Sequence, residues 1–164
     1  MLKRCPNPSE AIVGQSVLAW LNITIVYEDP LTFRVAERIS DGLVVAADSG
    51  CCVRLTMRSF DVLGIRSIRE LAVAEAKEAD LLLFSIYEHG EWPAGVARWM
   101  ELLCSEPMTQ HGGFAALLVK SPFHPPDAAG RRGALEQMAS NCGRDFFIAK
   151  DVWLGRPEHY PAYE

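Results

Sequence analysis

Short apolar runs recur along the chain and are separated by longer amphipathic segments. Continuous or β-branched apolar runs of this length predict buried strands, which we place at 23–27, 81–84, 114–119 and 146–149. Residues 53–58 instead alternate strictly between apolar and polar. That pattern predicts a strand near a sheet edge, with one face solvated.

The segments between the predicted strands carry apolar residues at helical spacing. Thr32 is predicted to cap the first helix, and residues 67–70 form a capping-box pattern that opens a second helix through 78. A third helix covers 93–103, with Pro93 in its first turn. A fourth ends at Gly143 and has Leu135, Met138 and Cys142 on one face. Strands that alternate with helices predict a parallel sheet covered on both faces.

The two ends of the chain are predicted to lie outside this repeat. Residues 11–20 are predicted to form a short helix after Ser9, within an N-terminal extension that covers 1–21. Lys3 and Arg4 before an apolar run imitate a signal peptide, but prolines, a glutamate and a glutamine interrupt the pattern. Residues 152–164 form an aromatic tail. We therefore expect a single domain over 1–164.

Composition narrows the function classes. A chain of 164 residues with a formal net charge of −5 has no basic stripe, so a nucleic-acid partner is not expected. No apolar segment is long enough to span a membrane. Five cysteines without framework spacing suggest reduced thiols in a cytoplasmic protein. Cys51 and Cys52 are interpreted as small residues around a turn rather than a vicinal disulfide. The four histidines are scattered along the chain, so no metal site is expected.

The loop after the strand at 81–84 is the best candidate for a functional site. It contains Tyr87, His89 and Gly90, and it follows a strand that is apolar throughout. Open α/β sheets bind ligands at the carboxyl ends of their strands. The sequence therefore predicts a ligand site at this loop, although no acid–base dyad is apparent and no catalytic residue is assigned.

Two families with such a sheet resemble parts of the chain. Residues 23–31, with the acidic pair Glu28 and Asp29, resemble the opening of a response-regulator receiver domain, in which such a pair binds magnesium. Residues 147–150 resemble its last strand and lysine. The phosphate-accepting aspartate of receivers is missing, because Ser85 stands near that place. A degenerate receiver is thus the less favoured interpretation.

Flavodoxin-like NAD(P)H-dependent FMN reductases resemble more of the chain, weakly over 23–149 and most clearly over 78–103. The matching positions are Ala79, Asp80, Tyr87, Gly90, Pro93, Gly95, Arg98, Trp99 and Leu103. This resemblance implies a flavodoxin-like three-layer, doubly wound α/β fold with a five-stranded parallel sheet in the order 2-1-3-4-5. It also implies hydride transfer from NAD(P)H through FMN to a small electron acceptor, and a homodimer.

The same resemblance implies where FMN would bind. The loop after the first strand would hold the phosphate, and the loop after the third strand would hold the flavin ring. The implied cofactor-binding residues are Thr32, Ser85, Tyr87, Glu88, His89, Gly90 and Ser121.

The phosphate loop departs from the family pattern, which expects Ser, Thr and Gly. Here it contains two carboxylates, Glu28 and Asp29, and Pro30, which has no N–H group to donate. An alternative function is therefore a flavodoxin-like domain that has lost FMN and serves as a binding or interaction module.

Several residues also have a purely structural interpretation. Tyr87 either stacks on a ring or seals the top of the sheet, and His89 is a solvated loop residue unless a ligand is present. Trp92 and Trp99 belong to the core or to a protomer interface rather than to a cofactor site, and their helix provides the apolar surface expected of a homodimer. Arg131 and Arg132 are interpreted as a solvated pair, since helix N-termini repel cations. Glu28 and Asp29 are assigned to turn chemistry rather than to magnesium.

Overall fold

The computed structural model describes residues 19–47, 51–105, 112–120 and 130–150. Strands and helices alternate through these ranges. In chain order they are β1 (Ala19–Tyr27), α1 (Pro30–Ala46), β2 (Cys51–Ser59), α2 (Phe60–Leu63), α3 (Arg66–Glu78), β3 (Leu81–Tyr87), α4 (Ala94–Cys104), β4 (Gly113–Val119), α5 (Arg132–Asn141) and β5 (Asp145–Lys150).

The described strands form one five-stranded sheet in which all neighbours run parallel, in the order β2-β1-β3-β4-β5. This confirms the predicted flavodoxin-like α/β fold and its strand order. The strictly alternating segment lies in the outer strand β2, as predicted. Arg54 on its polar side is exposed, but Leu55 on its apolar side is exposed as well. None of the helices formed by the described residues is long and apolar enough to cross a membrane.

Helices cover both faces of the sheet and bury two apolar clusters. Leu82, Phe84 and Ile86 of β3 point to the face covered by α2, α3, α4 and α5. Leu83 and Tyr87, which alternate with them, point to the face covered by α1. This period of two explains why six of the seven β3 residues are apolar or aromatic, the exception being Ser85: each face of the strand is packed under helices.

Trp99 of α4 belongs to the core. It is fully buried, and its ring centroid lies 5.8 Å from that of Phe84. Trp92, just before α4, is half-buried and lies 6.1 Å from Phe60. Trp99 therefore adds no exposed surface to α4, and it does not contribute to the apolar surface that was expected of a homodimer. The homodimer itself stays a prediction.

Several element boundaries differ from the prediction, and two of them change how the sequence is interpreted. β1 begins at Ala19, so the helix predicted over 11–20 is wrong at residues 19 and 20, and the extension predicted over 1–21 overlaps the strand; residues 1–18 lie outside the described part. α3 begins at Arg66 after Ile65, so Ser67 is already inside the helix and makes no cap. The short helix α2, which was not predicted, is separated from the start of α3 by two residues.

Candidate functional site

The candidate site lies where β1 and β3 end side by side. Tyr27 and Ser85 are register partners at this edge of the sheet, and the chain leaves them toward opposite faces. The loop after β1 leads to α1 on one face, whereas the loop after β3 leads to α4 on the other. This is the switch point of a doubly wound sheet, where such folds place their ligands.

The first turn of α1 is closed by side chains of its own loop. Asp29 is the N-cap residue, and its Oδ1 accepts hydrogen bonds from the N–H groups of Leu31 at 3.0 Å and Thr32 at 2.8 Å. Thr32 Oγ1 in turn accepts from the N–H groups of Glu28 and Asp29 at 2.9 and 2.8 Å. The prediction that Thr32 caps this helix was wrong: Asp29 is the cap, and Thr32 is its partner three residues later. The capping box leaves no N–H group of this turn for a ligand.

The second carboxylate oxygen of Asp29 is also engaged. Tyr87 donates its hydroxyl hydrogen to Asp29 Oδ2 over 2.6 Å. Burial alone would raise the pKa of Asp29, but hydrogen bonds from the Thr32 backbone, Tyr87, the Thr32 side chain and Leu31 outweigh it and hold the pKa below its usual value. Burial and the bond to Asp29 raise the pKa of Tyr87, so the phenol stays protonated. Tyr87 is 8% exposed and seals this end of the sheet.

Glu28 forms an ion pair with a residue far along the chain. Its Oε2 accepts from Tyr87 N–H at 3.1 Å and lies 2.5 Å from Arg131 Nη1. The side chain of Arg131 is 2% exposed, and that of Glu28 is 18% exposed. The pair thus bridges the loop after β1 and the start of α5 with little access to water.

The remaining donors of Arg131 fasten the loop after β3. Nε donates to the carbonyl of Gly90 at 3.1 Å and Nη2 to the carbonyl of Glu91 at 2.5 Å. The guanidinium carbon lies 4.8 Å from the centre of the Trp92 ring, a cation–π distance. Arg131 therefore holds together the loops that follow β1 and β3.

The interpretation of Arg131 and Arg132 as a solvated pair was wrong for Arg131. Arg132 is exposed and pairs with Glu136 at 2.7 Å, as expected for a helix surface. Arg131 occupies the N-cap position of α5, but its side chain turns back to Glu28 and to carbonyl groups. A helix dipole acts only on charges near the end of its own helix, so it says nothing about a distant partner of Arg131. No local pattern in the sequence signals a partner 103 residues away.

The other predicted cofactor residues have structural partners of their own. Ser85 is fully buried and donates to the carbonyl of Thr32 at 2.7 Å. Glu88 N–H donates to the carbonyl of Val119 at 3.0 Å, which ties the loop to the end of β4. His89 forms an isolated antiparallel bridge with Gly130, and Gly90 has a φ of +131°, which a side chain would strain. Ser121 lies outside the described residues.

The structure thus brings six of the seven predicted residues to one edge of the sheet. Thr32, Ser85 and Tyr87 share a hydrogen-bonded network with Asp29, and Glu88, His89 and Gly90 form the adjoining loop. The network contains Glu28, Asp29 and Arg131, which the prediction did not include among the binding residues. In the described part of the chain, no group of three or more His, Cys, Asp and Glu side chains is placed to hold a metal ion.

The residues present do not fit the phosphate of FMN. Asp29 Oδ1 already accepts the N–H groups that a phosphate would need, and Pro30 supplies none. Two carboxylates at this turn would also repel a dianion. Arg131, the partner of Glu28, is committed to that carboxylate and to two carbonyl groups.

Comparisons with family models, curated proteins and solved structures found no match to this chain. What carries over from the resemblance to FMN reductases is therefore the fold, which the sheet order shows, and no residue's role in catalysis.

Proposed function

We propose that this chain is a flavodoxin-like domain that does not use FMN and serves as a binding or interaction module. The observation that carries the proposal is the Asp29 carboxylate, which sits where a phosphate would accept the N–H groups at the start of α1. In a cofactor-dependent relative this turn would be open and uncharged; here the chain supplies its own anion.

The neighbouring contacts support the same function. A phosphate could enter only if Asp29 left the N–H groups of Leu31 and Thr32, and its departure would also remove the acceptor of the buried Tyr87 hydroxyl. Losing such charge-assisted hydrogen bonds costs about 1.5–3 kcal/mol each. The cost of opening the turn would be subtracted from the affinity for any anionic ligand.

Flavin titration tests the proposal directly. We expect the purified protein to be colourless and to leave the fluorescence of added FMN and riboflavin unchanged at micromolar protein. Riboflavin has no phosphate, so its binding depends only on the loop after β3, which would hold the flavin ring. FMN binding at micromolar concentration together with NAD(P)H oxidation would overturn the proposal and favour the oxidoreductase.

A variant tests whether the turn before α1 is what prevents FMN from binding. The triple change Glu28→Ser, Asp29→Thr and Pro30→Gly restores hydroxyl groups, an N–H group and backbone freedom to the turn. We expect it to bind FMN more tightly than the unmodified chain does, and more tightly than it binds riboflavin. A control with Glu37→Ser and Asp41→Thr removes the same charge from the exposed side of α1 and should bind neither flavin.

A further inference from the structure

Two cysteines that are distant in sequence meet at the ends of neighbouring helices. Cys104 is the last residue of α4, and Cys142 is the C-cap residue of α5. Their Sγ atoms lie 3.2 Å apart, although 38 positions separate them along the chain. Both are free thiols. Since each sits at a helix end, packed against the same sheet face, the fold itself holds the pair together.

The two thiols differ in their access to solvent. Cys104 is partly exposed, whereas Cys142 is 5% exposed and belongs to the buried cluster under α5. A small oxidant in solution would therefore reach Cys104 first. Cys142 is shielded from solvent but already stands beside the sulfur that would be oxidised.

The surroundings of Cys142 keep its thiol protonated. Burial raises the pKa of Cys142 to about 12, and the hydrogen bond with Cys104 adds to the effect, while Arg144 and Lys77 partly oppose it. Cys104 Sγ also lies 3.9 Å from the carbonyl oxygen of Met138, in the last turn of α5. A protonated, buried Cys142 is a poor target for oxidants, so its reaction depends on Cys104 reacting first.

We propose that Cys104 and Cys142 form a reversible intramolecular disulfide when the protein meets a hydroperoxide. The Cys104 sulfur attacks one peroxide oxygen: an S–O bond forms, the O–O bond breaks, the sulfur is oxidised to a sulfenic acid, and the peroxide is reduced to an alcohol that carries the thiol proton. The Cys142 sulfur then attacks the sulfenic sulfur: the S–S bond forms, the S–O bond breaks, and water leaves with the Cys142 proton.

The step requires little movement. A disulfide has an S–S distance of about 2.05 Å, so the two sulfur atoms must approach by about 1 Å from their present separation. Holding reactants in contact replaces an encounter between molecules by a step within one molecule, which raises the effective concentration greatly. The bond would join the ends of α4 and α5 and restrict the unfolded chain between residues 104 and 142.

Peptide mapping of the oxidised protein tests the proposal without a variant. After treatment of the reduced full-length chain with hydrogen peroxide, cleavage after Lys and Arg separates residues 99–120, which hold Cys104, from residues 133–144, which hold Cys142. We expect these two peptides to be joined, with a mass lower by two hydrogens than their sum, and to separate again on reduction. Both peptides carrying free, alkylatable thiols after oxidation would overturn the proposal, and so would a cross-link to the peptide with Cys51 and Cys52.

Single variants distinguish the cysteine that the peroxide oxidises from the cysteine that then forms the disulfide with it. Cys142→Ser should leave Cys104 as a sulfenic acid that dimedone labels, whereas Cys104→Ser should abolish both label and disulfide. Cys51→Ser is the matched control and should oxidise like the unmodified chain. Disulfide formation should also raise the unfolding temperature by roughly 5–10 °C. A cross-link between chains, or dimedone labelling of Cys142 in Cys104→Ser, would contradict the assignment.

Discussion

Asp29 has both carboxylate oxygens in use, one on the N–H groups of α1 and the other on the Tyr87 hydroxyl. The Asp29 carboxylate replaces the anionic ligand that other helix N-termini bind. It accepts the same unsatisfied N–H groups and lies at the same positive end of the helix dipole. Because Asp29 belongs to the chain, it occupies the helix N-terminus whether or not a ligand is present. The candidate site is therefore formed in the folded chain by residues that stabilise one another.

The lowered pKa of Asp29 makes stability depend on pH. A carboxyl whose pKa is lower in the folded than in the unfolded state stabilises the fold above its unfolded pKa, near 3.8, and this contribution is lost as the pH falls through the folded pKa. We expect the free energy of unfolding to fall between about pH 5 and pH 2 by more in the unmodified chain than in Asp29→Asn, which keeps a capping oxygen but does not titrate. Urea unfolding across this range measures the difference. Equal slopes for the two proteins would contradict a role for the Asp29 charge.

Arg131 should contribute more to stability than its neighbour. Arg131→Met leaves Glu28 nearly buried without its cation and two carbonyl groups without a donor, which should cost about 3–5 kcal/mol. Arg132→Met, the matched control, breaks only an exposed pair within α5 and should cost less than about 0.5 kcal/mol. Chemical denaturation of the two variants measures both values. Similar costs for the two would place Arg131 in solvent and remove the link between the loops.

At the scale of elements, periodicity predicted what depends on burial and missed what depends on distant partners. Both faces of β3 are packed, which explains its apolar run, and β2 alternates at the edge of the sheet, so both strands could be predicted from the residues. The prediction ended the third strand at residue 84, however, whereas β3 continues to Tyr87, which was assigned to the loop. The cap of α1 was predicted three residues too late, because Asp29 and Thr32 can each accept N–H groups; the capping residue is Asp29, which also accepts from Tyr87. The role of Arg131 could not be predicted from the sequence, since its partner Glu28 lies in the loop after β1.

Two residues of the motif that resembles FMN reductases have packing roles. Trp99 fills the core under α4, and Gly95 lets the start of α4 approach the turn between α2 and α3. A Cβ atom at Gly95 would lie 2.7 Å from the Cα of Gly64 and 2.9 Å from the carbonyl oxygen of Leu63. A motif of this kind indicates how a helix packs on its sheet and says little about a cofactor.

Alanine at two helical glycines should therefore change stability in opposite directions. Gly95→Ala meets backbone atoms that cannot move aside, and we expect a loss of about 1–3 kcal/mol despite the better helix propensity of alanine. Gly133→Ala in α5 meets nothing within 4 Å and should gain about 0.5–1 kcal/mol. Thermal and urea unfolding of both variants test this. A stabilising Gly95→Ala would mean that α4 begins farther from the turn than the contacts require.

At the scale of the whole molecule, the two sheet faces are covered unequally. Four described helices lie on one face, whereas α1 is the described helix on the other and packs mainly over β1 and β3. Phe147 of β5 lies on the α1 side, beside Ala115, and its ring edge covers Gly113. It is 58% exposed, a large fraction for an aromatic residue in the middle of a strand.

We expect a homodimer, and Phe147 rather than Trp99 is the described aromatic residue whose surface a second copy could bury. A second copy that covered Phe147 would remove its ring from water, and a two-fold dimer would place each Phe147 against the same face of its partner. Light scattering at tens of micromolar should give twice the chain mass of 18.2 kDa for the unmodified protein and the single mass for Phe147→Glu. Leu71→Glu, which adds the same charge at a 52% exposed leucine on α3, is the control and should stay dimeric. A mass of one chain for the unmodified protein, or dissociation caused equally by Leu71→Glu, would show that Phe147 does not mediate self-association.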